Sequence, residues 1–216
     1  AMSARRLAIL KEMGLAPVWR LRQRVSAFQV TDQVSDWDAL EVEVPACTAC
    51  ALHKTRARTV LGVGDRNAAW LLVGEAPGAE EDRLGEPFVG QAGRLLDNML
   101  AAIGLARGEN VYIANVLKCR PPGNRNPEPE EVARCTPFLQ RQIALIQPKI
   151  IVALGRFAAQ TLLGSDATIA SLRGRVHRYA GVPLVVTYHP AYLLRNLPDK
   201  AKAWSDLLLA RRTINR

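Results

Sequence analysis

The chain has 216 residues, 49% of them hydrophobic and 23% charged, which is enough to bury a core of ordinary size and makes one globular domain the default. Its 29 Lys and Arg against 20 Asp and Glu leave a net charge of +9, so a polyanion, nucleic acid first, is the partner to test. No apolar run approaches the roughly 18 residues that span a bilayer, and the basic start Ala4-Arg5-Arg6 lacks the apolar segment of a secretory signal, so a cytoplasmic protein is expected.

Taken in chain order, SARRLAILKEMGL (residues 3–15) places Leu7, Leu10 and Met13 at helical spacing and predicts a short amphipathic helix ending near Gly14. Residues 16–44 show no clear period and read as a connecting segment, giving an N-terminal extension over 1–44 and a main domain over 45–216. From residue 68 the pattern changes. The runs AAWLLVG (68–74), VYIANVL (111–117), KIIVALG (149–155) and PLVVTYH (183–189) are short and almost continuously apolar, as parallel strands covered on both faces are. Helical patterns lie between and after them at about 91–103, 128–146, 156–163 and 199–213, with Pro127, Glu128 and Pro129 forming a good helix start. This alternation predicts a single α/β domain with a central four-stranded, mostly parallel sheet flanked by helices.

Open α/β sheets bind ligands outside the carboxyl ends of their strands. The residues just past those ends are Gly74-Glu75-Ala76-Pro77-Gly78, Asn115 with KCRPPGNR, Gly155-Arg156 and His189-Pro190. A carboxylate, an amide, an imidazole and several cations therefore converge on one edge. Gly62-Val63-Gly64 precedes its strand, whereas a dinucleotide fingerprint follows one, and no Gly-x4-Gly-Lys-Ser/Thr is present; neither nucleotide-binding loop is supported.

Cys47, Cys50, Cys119 and Cys135 are spaced C-x2-C, 68 residues, C-x15-C. With no mark of secretion, disulfides are the weaker explanation. Four-sulfur ligation of zinc or of an iron–sulfur cluster is the stronger one, beside the alternative of four unrelated buried thiols.

The pentapeptide Gly74–Gly78, the pair Glu81-Asp82, Gly85-x-Pro87-Phe88-Val89-Gly90, Ala92-Gly93, ANVLKCRPPGNRNP (114–127), the four cysteines and HPAYLLR (189–195) occur in one order that resembles the iron–sulfur uracil-DNA glycosylases of family 4, over roughly residues 45–212. The resemblance implies the three-layer uracil-DNA glycosylase fold and a structural 4Fe-4S cluster on Cys47, Cys50, Cys119 and Cys135. It also implies release of uracil from single- and double-stranded DNA in base excision repair; a monomer is expected.

By the same resemblance, Glu75 orients a water, His189 donates to the departing uracil, Phe88 stacks on the base and Asn115 reads it. Gly74 and Ala76 bring the backbone close. Glu81 guards the base at C5, and Asp82 orders the loop. Leu193, Leu194 and Arg195 are expected on a loop that enters the duplex, and Lys118, Arg120, Arg125, Arg156, Arg173 and Arg175 on the phosphate side.

These residue types suit the reaction. A flipped base regains stacking on an aromatic face, an amide can donate to uracil O4 while accepting from N3–H, and a carboxylate can stabilise positive charge developing on the sugar. Two other readings remain open. One is a relative that captures uracil-DNA covalently through a histidine in a basic insertion, which Gly123-Asn124-Arg125-Asn126-Pro127 lacks. The other is a non-catalytic iron–sulfur DNA-binding module, which leaves Glu75, Phe88, Asn115 and His189 unexplained.

Overall fold

The computed structural model describes Glu12 and residues 37–215. The rest of the helix expected over residues 3–15 lies outside the described residues. The unit that carries the candidate site runs Ser35–Arg216.

It begins with a helix that the sequence conceals. In α1 (Trp37–Ala46), Leu40, Val42 and Val44 alternate with polar residues as in a strand. The structure instead buries Leu40 and Val44, one helical turn apart, and leaves Val42 71% exposed. The expected boundary near residue 44 thus falls inside this helix, where no element was expected.

The sheet has six strands rather than four: β1 (Val63–Gly64), β2 (Trp70–Gly74), β3 (Val111–Asn115), β4 (Ile150–Leu154), β5 (Val176–Tyr179) and β6 (Val182–Thr187), in the order β1-β3-β2-β4-β6-β5. The four expected strands form its parallel centre, and every residue of β2, β3 and β4 is buried. The two added strands are antiparallel edges. Two residues of β1 carry no readable period, and β5 leaves Val176 44% exposed, so neither has the apolar signature that marks the centre.

The main helices α3 (Gln91–Ala102), α4 (Pro129–Ile146), α5 (Arg156–Leu163) and α8 (Lys200–Ile214) fall where the periodicity puts them. The start of α4 is as its sequence suggests: Pro129 opens the helix, and Glu131 accepts from the Glu128 backbone N–H at 2.8 Å. Three short helices join them: α2 (Ala79–Leu84), α6 (Ile169–Leu172) and α7 (Pro190–Arg195). Two apolar clusters cover the faces of the sheet. One joins Leu71, Val73 and Ala153 to Leu139 and Ile143 of α4, and the other joins Leu72 and Val152 to Leu96 of α3 and Leu207 of α8. Because β3 and β4 flank β2 on opposite sides, the chain reverses direction across the sheet at β2, and a crevice opens past its carboxyl end.

Candidate active site and four-cysteine centre

That crevice is a cleft of about 440 Å³ lined by Glu75, Ala76, Glu81, Phe88, Asn115, Arg125, His189 and Arg195, among others. It joins the ends of β2, β3 and β6 with the loop between α2 and α3. Gly74 lies just beneath it. A Cβ there would come 2.3 Å from Asn115 Oδ1 and 2.7 Å from the Phe88 ring, so only a glycine lets the amide and the ring meet over the strand end.

Asn115 is 2% exposed, and its Oδ1 is buried without a hydrogen-bond partner among the described residues. An unpaired buried carbonyl costs about 1–3 kcal/mol, so this oxygen can take an N–H donor that the described residues do not supply. Glu75 is held by its main chain, with its carbonyl accepting from Leu117 N–H at 3.0 Å. Burial pushes its carboxyl up from the ordinary value, and the Arg156 guanidinium opposes that shift.

His189 caps α7, where its Nδ1 accepts from Ala191 N–H at 3.2 Å. A backbone N–H can only donate, so the ring proton of the neutral imidazole sits on Nε2. Burial lowers its pKa to about 4, with Glu81 opposing the shift and Arg195 adding to it. At neutral pH His189 is therefore an uncharged Nε2–H donor. Gly155, at φ 95°, would bring a Cβ within 2.9 Å of the His189 Cβ, so its missing side chain makes room for the imidazole.

Phe88 is 6% exposed and has φ 56°, an uncommon conformation for a bulky residue. It is held from two sides. Glu81 accepts from Val89 N–H at 3.0 Å and from Gly90 N–H at 3.4 Å, and its other oxygen accepts from Gly78 N–H at 3.1 Å. Arg107 donates to the Pro87 and Phe88 carbonyls at 3.0 and 2.8 Å, and its Nε donates to Asp97. Arg107 was not singled out from the sequence, since an arginine 19 residues away carries no local signal. Glu81, expected to guard C5, has both oxygens committed to loop ordering because the tight turn leaves those N–H groups otherwise unpaired. Asp82 does order a neighbouring segment, accepting from Ala57 N–H and Arg58 N–H.

The cations divide by burial. Arg195, at the cleft, and Arg156 and Arg175 are exposed, and Arg120 is partly exposed with its Nε on Asn124 Oδ1. Arg125 borders the cleft but pairs with Glu131 at 2.6 Å. Two do not fit the phosphate side. Arg173 is turned inward onto Asp206 at 2.7 Å and over the Tyr188 ring at 4.4 Å. Lys118 is 1% exposed, with its Nζ donating to Asn115 O at 2.9 Å and Gln142 Oε1 at 2.6 Å. The expected wedge loop is helix α7, and its two leucines part company: Leu193 is 1% exposed and packs with Tyr188 and Ala203, whereas Leu194 is 39% exposed. A helical turn must point consecutive residues in different directions.

Behind the cleft, Cys47, Cys50, Cys119 and Cys135 line one cavity and form no disulfide. Two of the sulfurs accept hydrogen bonds, Cys119 from Arg56 Nη1 and Cys135 from the Lys118 backbone N–H, each at 3.1 Å. Burial pushes the Cys135 thiol up to about 11, opposed by the Lys118 ammonium, and raises Cys119, opposed by Arg56. Four thiols around one cavity, two of them met by N–H donors, suit a thiolate-ligated group. Among the described residues no group of three or more His, Cys, Asp or Glu is arranged to hold a metal ion. No helix among them is long and apolar enough to cross a membrane.

Comparison with known proteins agrees with this arrangement. The family model described as the uracil DNA glycosylase superfamily matches residues 61–208. A type-4 uracil-DNA glycosylase of Archaeoglobus fulgidus is 50% identical over 165 residues, covering 73% of this chain and 82% of that protein. Its namesake in Thermotoga maritima is 48% identical over 161 residues, covering 74% and 83%. A type-5 uracil-DNA glycosylase of Pyrobaculum aerophilum is more distant, 34% identical over 148 residues, or 60% and 64%. The family model spans more than half of the chain, and the type-4 relatives align along most of their own length, so the chain belongs to the uracil DNA glycosylase superfamily, with the type-4 uracil-DNA glycosylases.

Proposed function

We infer that this protein hydrolyses the bond joining uracil to deoxyribose in DNA, releasing free uracil and leaving an abasic site for base excision repair. The observation that carries the assignment of the base is the buried, unpartnered Oδ1 of Asn115. Uracil N3–H is the donor this oxygen lacks, and uracil O4 accepts from the other end of the amide. Cytosine offers an acceptor at N3 and a donor at C4, so binding it would oppose like groups in a buried place.

Around that contact the other residues take complementary roles. Phe88 offers its ring to the flipped base and recovers part of the unstacking cost. As the glycosidic bond breaks, positive charge grows on the sugar and negative charge on uracil. Glu75, whose burial raises its pKa against the opposing charge of Arg156, orients the attacking water and in its carboxylate form stabilises the sugar. His189, neutral with its proton on Nε2, donates to uracil O2 without carrying a charge that the cleft would have to solvate. Arg195, Arg156 and Arg175 face the phosphates, and Leu194 is the exposed apolar residue able to enter the vacated stack.

Cys47, Cys50, Cys119 and Cys135 would hold a 4Fe-4S cluster. When bound, it supplies a cross-link between the segment after α1, the loop after β3, and α4. Iron and acid-labile sulfide in the purified protein test this, and stoichiometric zinc in their place would overturn it. Activity on both single- and double-stranded DNA and a monomeric state belong to the same reading.

The direct experiment is release of uracil from defined single-stranded and U·G duplex oligonucleotides without added Mg2+, with thymine and hypoxanthine as controls. Uracil release is expected from both substrates, and N115A is expected to lose it while keeping DNA affinity. Intact oligonucleotides after incubation with wild-type protein would refute the activity. A band shifted on a denaturing gel would indicate covalent capture instead.

A further inference from the structure

Lys118 is among the largest fully buried side chains of the protein, and the proposed chemistry does not use it. A buried ammonium is costly unless hydrogen-bonded and balanced by an anion. Its hydrogen bonds are to neutral groups, the Asn115 carbonyl and Gln142 Oε1, and Gln142 is itself fixed by donating to Leu61 O at 2.8 Å. The main chain of Lys118 meets a sulfur: the residue lines the four-cysteine cavity, and its backbone N–H donates to Cys135 Sγ at 3.1 Å.

One residue thus touches both centres. Its main chain meets a sulfur of the four-cysteine group, and its side chain grips the main chain of the residue whose amide faces the cleft. We propose that Lys118 is a positioning residue with two linked tasks: internal counter-ion of the four-thiolate centre, and tether that fixes Asn115 at the end of β3. A group held by four thiolates carries net negative charge, which a cation excluded from water balances without screening. The proposal rests on the cluster reading above. It also explains why a lysine in a basic loop is turned away from solvent.

The test uses cluster-loaded K118M and K118Q, with iron and sulfide quantified. Removing a buried cation makes adding an electron nearby harder, so the midpoint potential of the cluster, read by spectroelectrochemistry, is expected to move to more negative values in both. K118M, which has no hydrogen-bond donor for Asn115 O, is expected to bind free uracil several-fold more weakly, read as product inhibition, with DNA affinity unchanged. K118Q retains an N–H donor and is expected to stay closer to wild type in that assay. Fully loaded K118Q with an unchanged potential would overturn the counter-ion role. Equal losses of uracil and DNA binding in both variants would overturn the tether. Wild-type protein free of iron and sulfide would instead refute the cluster reading, and the counter-ion with it.

Discussion

The imidazole of His189 lies against the ring of Phe88, with centroids 5.4 Å apart and planes inclined by 29°. The two residues come from loops 101 positions apart, yet they form one wall of the cleft. On the proposed reading, the stacking face and the neutral donor are thus set relative to each other before substrate arrives, which is what preorganised catalysis requires. The following outcomes depend on that wall and its supports.

Gly74→Ala is expected to lower uracil release at least about 100-fold, because a Cβ would displace both Asn115 Oδ1 and the Phe88 ring. Overpacking of this kind destabilises by about 1–3 kcal/mol. Single-turnover excision and urea unfolding measure the two effects, and wild-type turnover would contradict the placement of Asn115 and Phe88.

Arg107→Ala removes the donors to the Pro87 and Phe88 carbonyls. The expected result is a roughly 10-fold fall in kcat with little change in DNA affinity, partly restored by Arg107→Lys. A variant that lost DNA binding and turnover together would show a general defect rather than a misplaced ring.

His189 has a folded pKa of about 4 against the ordinary 6.5. As pH falls below about 6.5 the unfolded chain takes up a proton first, so stability falls through the window from 6.5 to 4 and levels off below it. Denaturant unfolding at pH 7 and pH 5 should show a larger acid loss in wild type than in His189→Asn. Equal losses would mean that the imidazole is not protected from protonation.

Arg156→Ala removes the cation that opposes the burial of Glu75. The carboxyl should then titrate higher, moving the acid limb of the kcat profile to higher pH; an unmoved limb would separate Glu75 from Arg156. Single-turnover rates at saturating enzyme keep any phosphate contact of Arg156 out of the measurement.

The leucines of α7 should behave oppositely. Leu193→Ala, at a buried site, is expected to cost about 2–5 kcal/mol of stability. Leu194→Ala should leave stability within about 0.5 kcal/mol of wild type and slow excision from duplex more than from single strands. Equal effects on the two substrates would remove Leu194 as the wedge.

Much of the fold was legible because buried parallel strands are short apolar runs and amphipathic helices repeat every 3.6 residues. The centre of the sheet and helices α3, α4, α5 and α8 follow from that. Helix α1 was hidden by its alternating Val and Glu, and strands β1 and β5 by their length and exposure. The site was legible in outline for a different reason: the ends of parallel strands share one edge, so Glu75, Asn115 and His189 could be gathered from topology alone.

By itself, then, the sequence determined which polar residues lie just past the strand ends and on which edge they meet. Only the tertiary structure decided how each side chain is used. It turned Lys118 and Arg173 inward, split Leu193 from Leu194, committed both oxygens of Glu81 to backbone N–H groups, and recruited Arg107 to hold Phe88. Residue type and spacing record charge and periodicity along the chain. Burial and hydrogen-bond partners are set by distant segments, and no local pattern encodes them.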